Sequence, residues 1–255
     1  MGTLSSSTPT TSDILTFLER PKSTTVSAIA VTSIDGRGAI DGASGGLGND
    51  TDATIFNTLR ALSDVVFVGT GTIVAENYGP VEIPQHLQKI RRDLGRKDNV
   101  VMTTLSRSLD LDVDSDFFAD AKNNPPIIFT PSEDSFGDAH NASAHEDKAK
   151  RMEMAGANVV KLAEPTPASA LTWLKQNGYR DIVVEGGPTM YRAAIESGGV
   201  DELFITLSPT WVGHGPLTFG ETEPDDASDP QRFNLRDMLR SDSHIFLRYS
   251  RSLTH

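Results

Sequence analysis

Two glycine-rich junctions hold the residues best suited to chemistry. In Val183-Val184-Glu185-Gly186-Gly187-Pro188-Thr189-Met190-Tyr191 an apolar strand breaks at two glycines and enters a helix. Pro188 suits the first helical turn, where a missing N–H costs nothing. The glycines let a ligand approach the backbone without Cβ interference, and the free N–H groups share one focus with the positive end of the helix dipole. That combination is an anion site, most naturally for a nucleotide pyrophosphate. A tight strand–helix junction without a ligand would use the same residues. The second junction, Val65-Val66-Phe67-Val68-Gly69-Thr70-Gly71-Thr72, opens like a dinucleotide fingerprint, but Val74 stands where the third glycine of G-x-G-x-x-G belongs. A standard Rossmann unit is therefore not expected. Backbone N–H groups and the hydroxyls of Thr70 and Thr72 can still cradle a phosphate. Either the two junctions bracket one dinucleotide, or they are unrelated turns.

A third strand end reads Thr103-Thr104-Leu105-Ser106-Arg107. An NAD-binding protein places an acid at such a position; hydroxyls and an arginine suit a 2′-phosphate and hence NADPH, although a loop arginine can also be simply solvated. Asp35, in Ser33-Ile34-Asp35-Gly36, follows a buried strand, with Asp41, Asn49 and Asp50 further along the loop. It is the candidate for orienting substrate or relaying a proton, against the plainer reading of a turn aspartate before glycine. Glu76 and Glu185 are the other acids beside the expected cleft, and Glu185 can instead fix the glycine turn through a backbone N–H. The basic cluster Lys89, Arg91, Arg92, Arg96 and Lys97 can hold a substrate phosphate, but a solvated helix face is the preferred reading. The six histidines show no metal spacing, with His140 and His145 assigned to a polar loop. No metal site is expected, and no G-x-S-x-G elbow supports a serine hydrolase.

The elements that must position these residues alternate between strand and helix along the whole chain, which implies an α/β layer architecture. Strands are expected over Val26–Val31, Val65–Val68, Asn99–Thr103, Pro126–Phe129, Val159–Leu162, Ile182–Val184, Glu202–Leu207 and His244–Tyr249. Thr51–Leu62 patterns as a helix with Ile55, Phe56, Leu59 and Leu62 on one face. Another starts with Thr166 as N-cap and Pro167 at its first position and stops at Gly178; Trp173 on it is read as packing. Gly36–Gly48, Ser132–Asp147 and the acidic Glu221–Asp229 are read as loops. The Ser/Thr-rich start lacks an apolar core, so residues 1–20 are expected to form a flexible tail and 21–255 one domain.

The 255 residues are ample for one large core, and no apolar run is long enough to span a membrane. Zero cysteines fit a cytoplasmic protein, and a net charge of −12 argues against nucleic-acid binding. The same charge means that an anionic substrate needs a local pocket working against the overall field.

The pieces occur in a familiar order: Ser33-Ile34-Asp35-Gly36; Leu59-Arg60-Ala61-Leu62-Ser63-Asp64 leading into Val65–Thr72; Val184-Glu185-Gly186-Gly187-Pro188-Thr189; and Val200-Asp201-Glu202-Leu203 with Ser208-Pro209 and Gly213. From about Thr25 to Tyr249 this series resembles the reductase domain of riboflavin biosynthesis, the C-terminal half of a bifunctional deaminase–reductase of the dihydrofolate reductase-like family. The resemblance implies a central mixed, mostly parallel sheet flanked by helices, a homodimer, and reduction of a ribosylamino-pyrimidine 5′-phosphate by NADPH. Carried over by position, the cofactor site falls on Gly69, Thr70, Gly71, Thr72, Glu185, Gly186, Gly187, Pro188, Thr189 and Met190, with Ser106 and Arg107 at the 2′-phosphate. Ser33 and Asp35 fall where nicotinamide and substrate meet. With no cysteine the deaminase half's zinc motif cannot be built, so the chain as given is expected to perform only the reduction. After Thr72 the family shows an Asp-Asp/Asn-Pro type segment; here Glu76-Asn77-Tyr78-Gly79-Pro80 takes its place, making Glu76 and Tyr78 substrate-contact candidates. That departure keeps open a pteridine or dihydrofolate substrate, and a protein that senses NADPH without chemistry is the third reading.

Overall fold

Runs of Val, Ile and Phe read as strands covered on both faces, and the computed structural model, which describes residues 8–19, 25–221 and 230–252, builds them into one sheet. Its strands are β1 (Thr25–Thr32), β2 (Val65–Val68), β3 (Val101–Leu105), β4 (Ile127–Pro131), β5 (Asn158–Leu162), β6 (Asp181–Gly186), β7 (Glu202–Leu207), β8 (Phe233–Ser241) and β9 (His244–Arg251). They lie in the order β5-β4-β3-β2-β6-β1-β7-β9-β8. Neighbours from β5 through to β7 pair in parallel, while β9 runs antiparallel to both β7 and β8. The mixed, mostly parallel sheet expected from the sequence is therefore present.

Side chains alternate between two cores. Val66, Val68, Met102, Ile128 and Val183 face one side, packed with Ile55 and Leu59 of α2 (Asp50–Ala61) and with Ala149 and Met152 of α5 (Ala139–Met154). Val65, Phe67, Ile127, Phe129, Ile182 and Val184 face the other, against Leu171 and Leu174 of α6 (Pro167–Gln176) and Met190 and Ala194 of α7 (Pro188–Glu196). Thr166 caps α6 through a capping box, Gly178 beyond its end has φ +86°, and Trp173 packs edge-on against Phe129 at 5.4 Å between centroids.

Three expectations need correction. The flexible tail does not extend through Thr11–Phe17, which forms helix α1; Ile14, Phe17 and Leu18 are buried, with Phe17 against Phe204, because three large apolar side chains cover the sheet there. Residues 1–7 and 20 of that tail, 21–24 at the start of the domain, and 222–229 of the acidic loop lie outside the described residues. Ser132–Asp147 is not all loop: α5 begins inside it, capped by Asp138, and buries His145, Ala149 and Met152. The basic cluster is largely structural. Arg91, on α4 (Gln85–Asp93), is buried and donates to the carbonyls of Ala61, Ser63, Lys97 and Asn99, while Arg96 bridges Asp64 and Asp181 and Lys89 pairs with Asp93.

Candidate active site

Because β6 inserts between β1 and β2, the two glycine junctions meet at the carboxyl edge of the sheet, where open α/β sheets hold ligands. The Gly69 N–H donates to the Gly186 carbonyl at 2.7 Å. A Cβ added at Gly187 would stand 2.9 Å from Thr72 Oγ1, and Gly186 has φ +124°, a conformation only glycine adopts freely. Helix α7 starts with Pro188 and has no side-chain cap on its first N–H groups; the same holds for the short α3 (Thr70–Ala75). Two uncapped, glycine-containing turns face one cleft of about 1350 Å³. Its walls include Gly69, Thr70, Gly71, Thr72, Ser106, Arg107, Glu185, Gly186, Gly187, Pro188, Thr189 and Met190, so every expected cofactor residue lines it. The unrelated-turns alternative does not describe this arrangement.

Glu76 and Tyr78 also line the cleft, each tied in place. Glu76 Oε1 accepts from the backbone N–H and hydroxyl of Ser44, at 3.2 and 2.7 Å, and so joins the glycine-rich loop to the end of α3. The Tyr78 hydroxyl donates to Glu185 Oε2 at 3.2 Å, and burial pushes its pKa upward, so it remains protonated. Glu185 does not fix its turn through a backbone N–H. Its fully buried carboxylate takes two bonds from Arg60, at 2.7 and 2.5 Å, and Arg60 in turn lies 4.1 Å over the Phe56 ring.

Ser33 and Asp35 are not among the lining residues. Asp35 accepts from the Ser33 hydroxyl at 2.5 Å and from the N–H groups of Val212 and Gly213 at 3.1 and 2.8 Å. The Ser33 bond, with those two N–H groups, lowers its pKa to about 2. A carboxylate so fully supplied with donors anchors the Trp211–Gly213 turn and holds no proton near neutrality.

A different acid faces the cleft. Asp52 lies in the first turn of α2, and its N–H is capped by Asn49 at 3.0 Å. Oδ1 accepts from Thr206 of β7 at 2.5 Å, whereas no donor among the described residues reaches Oδ2. Burial raises its pKa, with the Thr206 bond and the His244 charge opposing. A Cβ at Gly48 would overlap Oδ2, so that glycine makes room for the carboxyl. Neither Asp52 nor Arg60 stood out in the sequence. An aspartate after an N-cap is ordinary helix-dipole chemistry, and Arg60 acquires its role only through β6. Among the described residues no group of His, Asp and Glu is arranged to hold a metal, and no helix is long and apolar enough to cross a membrane.

Fold and site together define an α/β enzyme whose cleft lies on the carboxyl edge of a mostly parallel sheet. The RibD C-terminal domain model matches residues 24–247. A solved pyrimidine reductase-like protein from Corynebacterium diphtheriae is 30% identical, with a TM-score of 0.77 over 91% of this chain and 93% of that one. Acinetobacter baumannii RibD shares the fold at 19% identity, TM-score 0.68, over 90% of this chain and 58% of its own. In sequence, the 2,5-diamino-6-ribosylamino-4(3H)-pyrimidinone 5′-phosphate reductase of Archaeoglobus fulgidus is 24% identical over 165 residues, 64% of this chain and 70% of that protein. The chain belongs to the RibD C-terminal domain family and is an oxidoreductase of the riboflavin-biosynthesis type.

Proposed function

We propose that the protein uses NADPH to reduce a ribosylamino-pyrimidine 5′-phosphate, the uracil or the diaminopyrimidinone, to its ribitylamino form. The observation that carries this reading is the meeting of two glycine turns, Arg107 and the half-buried acid Asp52 in one cleft. The glycine turns at Gly69–Thr72 and Gly186-Gly187 fit a pyrophosphate, and the exposed Arg107, without a charged partner among the described residues, fits a 2′-phosphate. When bound, NADPH supplies the hydride. In the conversion of ribosylamino to ribitylamino, C1′ gains hydrogen, the C1′–O4′ bond opens, and O4′ takes a proton. Asp52 is the group of this chain that holds that proton, since its environment favours the neutral acid and Oδ2 has no competing donor among the described residues. Glu185, fixed by Arg60 and Tyr78, and Glu76, fixed by Ser44, shape the walls. A cytoplasmic homodimer is part of the same proposal, by resemblance to the family.

One observation favours the second reading, a pteridine or dihydrofolate. The cations lining the cleft among the described residues are Arg60 and Arg107, and Arg60 is already paired with Glu185. A flat, unphosphorylated heterocycle beside Phe56 and Tyr78 asks for no further cation. NADPH oxidation measured with the Archaeoglobus-type diaminopyrimidinone phosphate and with dihydrofolate side by side separates the two. Turnover of the pyrimidine alone supports the first reading, and turnover of dihydrofolate alone replaces it with the second. NADPH binding without turnover of either leaves the sensor.

A further inference from the structure

The loop that carries Arg107 is held from beneath by side chains with no other evident task. Ser106, Arg107 and Ser108 line the cleft, and the carbonyls of Ser106 and Ser108, on either side of Arg107, each meet a side-chain donor. The Thr130 hydroxyl, on β4, donates to the Ser106 carbonyl at 2.8 Å. Having given its one proton there, it accepts from His145 Nε2 at 3.0 Å. Lys148, one turn further along α5, donates to the Ser108 carbonyl at 3.0 Å and to Asp110 at 2.5 Å. Ser106 Oγ closes the loop by accepting the Leu109 N–H at 3.0 Å.

His145 is itself buried, its ring tilted 44° to that of Phe136 at 4.6 Å between centroids. An apolar ring would fill that space without the penalty of burying a polar one. What an apolar ring cannot do is hold the Thr130 hydroxyl, and through it the Ser106 carbonyl. Loop carbonyls fixed downward leave the Arg107 side chain on the cleft side, exposed and without a charged partner among the described residues.

We propose that His145 is a positioning residue for cofactor choice: through Thr130 and the Ser106 carbonyl it presents Arg107 to the nucleotide 2′-phosphate and so sets the preference for NADPH over NADH. This rests on the NADPH reading above. The test compares binding of 2′,5′-ADP and AMP by calorimetry to wild type, His145→Phe, Arg107→Ala and the double variant. The phenyl ring keeps the packing on Phe136 and removes both ring nitrogens. His145→Phe is expected to lose about tenfold in affinity for 2′,5′-ADP and less than about twofold for AMP, with no further loss when Arg107 is already alanine. Equal weakening of both probes, an unchanged ratio, or a loss that adds to that of Arg107→Ala would overturn the proposal. If His145→Phe does not fold, Lys148→Met takes its place, because it frees the Ser108 carbonyl without disturbing a buried position, and the same ratio decides. A wild type that binds both probes equally defeats the NADPH reading and this inference together. A wild-type preference retained by the variants defeats the inference alone.

Discussion

Asp35 and Asp52 lie before and after the same glycine-rich loop, and their hydrogen bonds give them opposite behaviour. Three donors surround Asp35, whereas Asp52 has Thr206 alone and is largely desolvated. Asp52→Asn is therefore expected to lower turnover by about 10²- to 10⁴-fold while NADPH affinity stays within about twofold. A reaction that needs the protonated acid slows as pH rises through the raised Asp52 pKa, and the asparagine variant loses that limb in single-turnover rates. Because the folded pKa is raised, stability associated with the neutral acid is present at low pH and lost as pH rises through the folded value; asparagine removes that loss, so its Tm near neutrality is expected to exceed wild type. Asp35 has the opposite sign. Its folded pKa of about 2 lies below the unfolded value, so its contribution is complete above about pH 4 and disappears between about pH 4 and 2. The Tm gap between wild type and Asp35→Asn should close over that window. A gap independent of pH would remove the anchoring role assigned to the carboxylate. The sequence pointed to Asp35 because an acid beside a buried strand is conspicuous, while the count of donors and the position in the cleft, on which the proposal of Asp52 rests, are tertiary properties.

At the scale of elements, what was legible followed burial. Strands β2 and β7 stand where the apolar runs placed them, since both faces of each are covered. Strand β3 begins two residues later than expected, which brings Ser106 and Arg107 directly past its end. The edge strand β8 was not expected, because exposed polar residues break its pattern, and α5 was missed because its buried stripe is only His145, Ala149 and Met152 on an otherwise polar surface. Arg91 shows why a run of cations is a poor guide to a phosphate site. It joins the end of α2, the turn after it and the approach to β3 through four carbonyls. Arg91→Met keeps the aliphatic stem but leaves those carbonyls without their donor, at about 1–3 kcal/mol for each buried group that water cannot reach. The variant is expected to lose about 3 kcal/mol or more in chemical denaturation, and roughly 6–12 °C in Tm at this chain length, with NADPH affinity unchanged. Retained stability together with a raised KM for the phosphorylated substrate would return the cluster to the substrate-phosphate role.

Over the whole molecule, the alternation of strands and helices made a parallel sheet legible, but not the return of β6 between β1 and β2 that creates the site. No local pattern records which distant strands become neighbours, so the residues alone left convergence of the two glycine junctions as one of two alternatives, and only the family resemblance placed both in one cofactor site. Charge is distributed with the same separation of scales. The chain carries −12 overall, yet the cleft contains uncapped N–H groups and Arg107. An approaching polyanion meets the net field first, at distances of about 30 Å in 10 mM salt and only about 8 Å in 150 mM. It meets the local donors only after entering, where screening is weaker. Stopped-flow association of NADPH is therefore expected to accelerate severalfold, by about 2- to 5-fold, between those salt concentrations, opposite to an anion site steered by a basic surface. Arg107→Ala should keep that salt dependence and change mainly the dissociation rate, because it removes a contact and leaves most of the distant field. An association rate that falls with salt would mean that the cleft projects a positive potential beyond its walls, and that steering, rather than local capture against a repulsive field, brings the cofactor in.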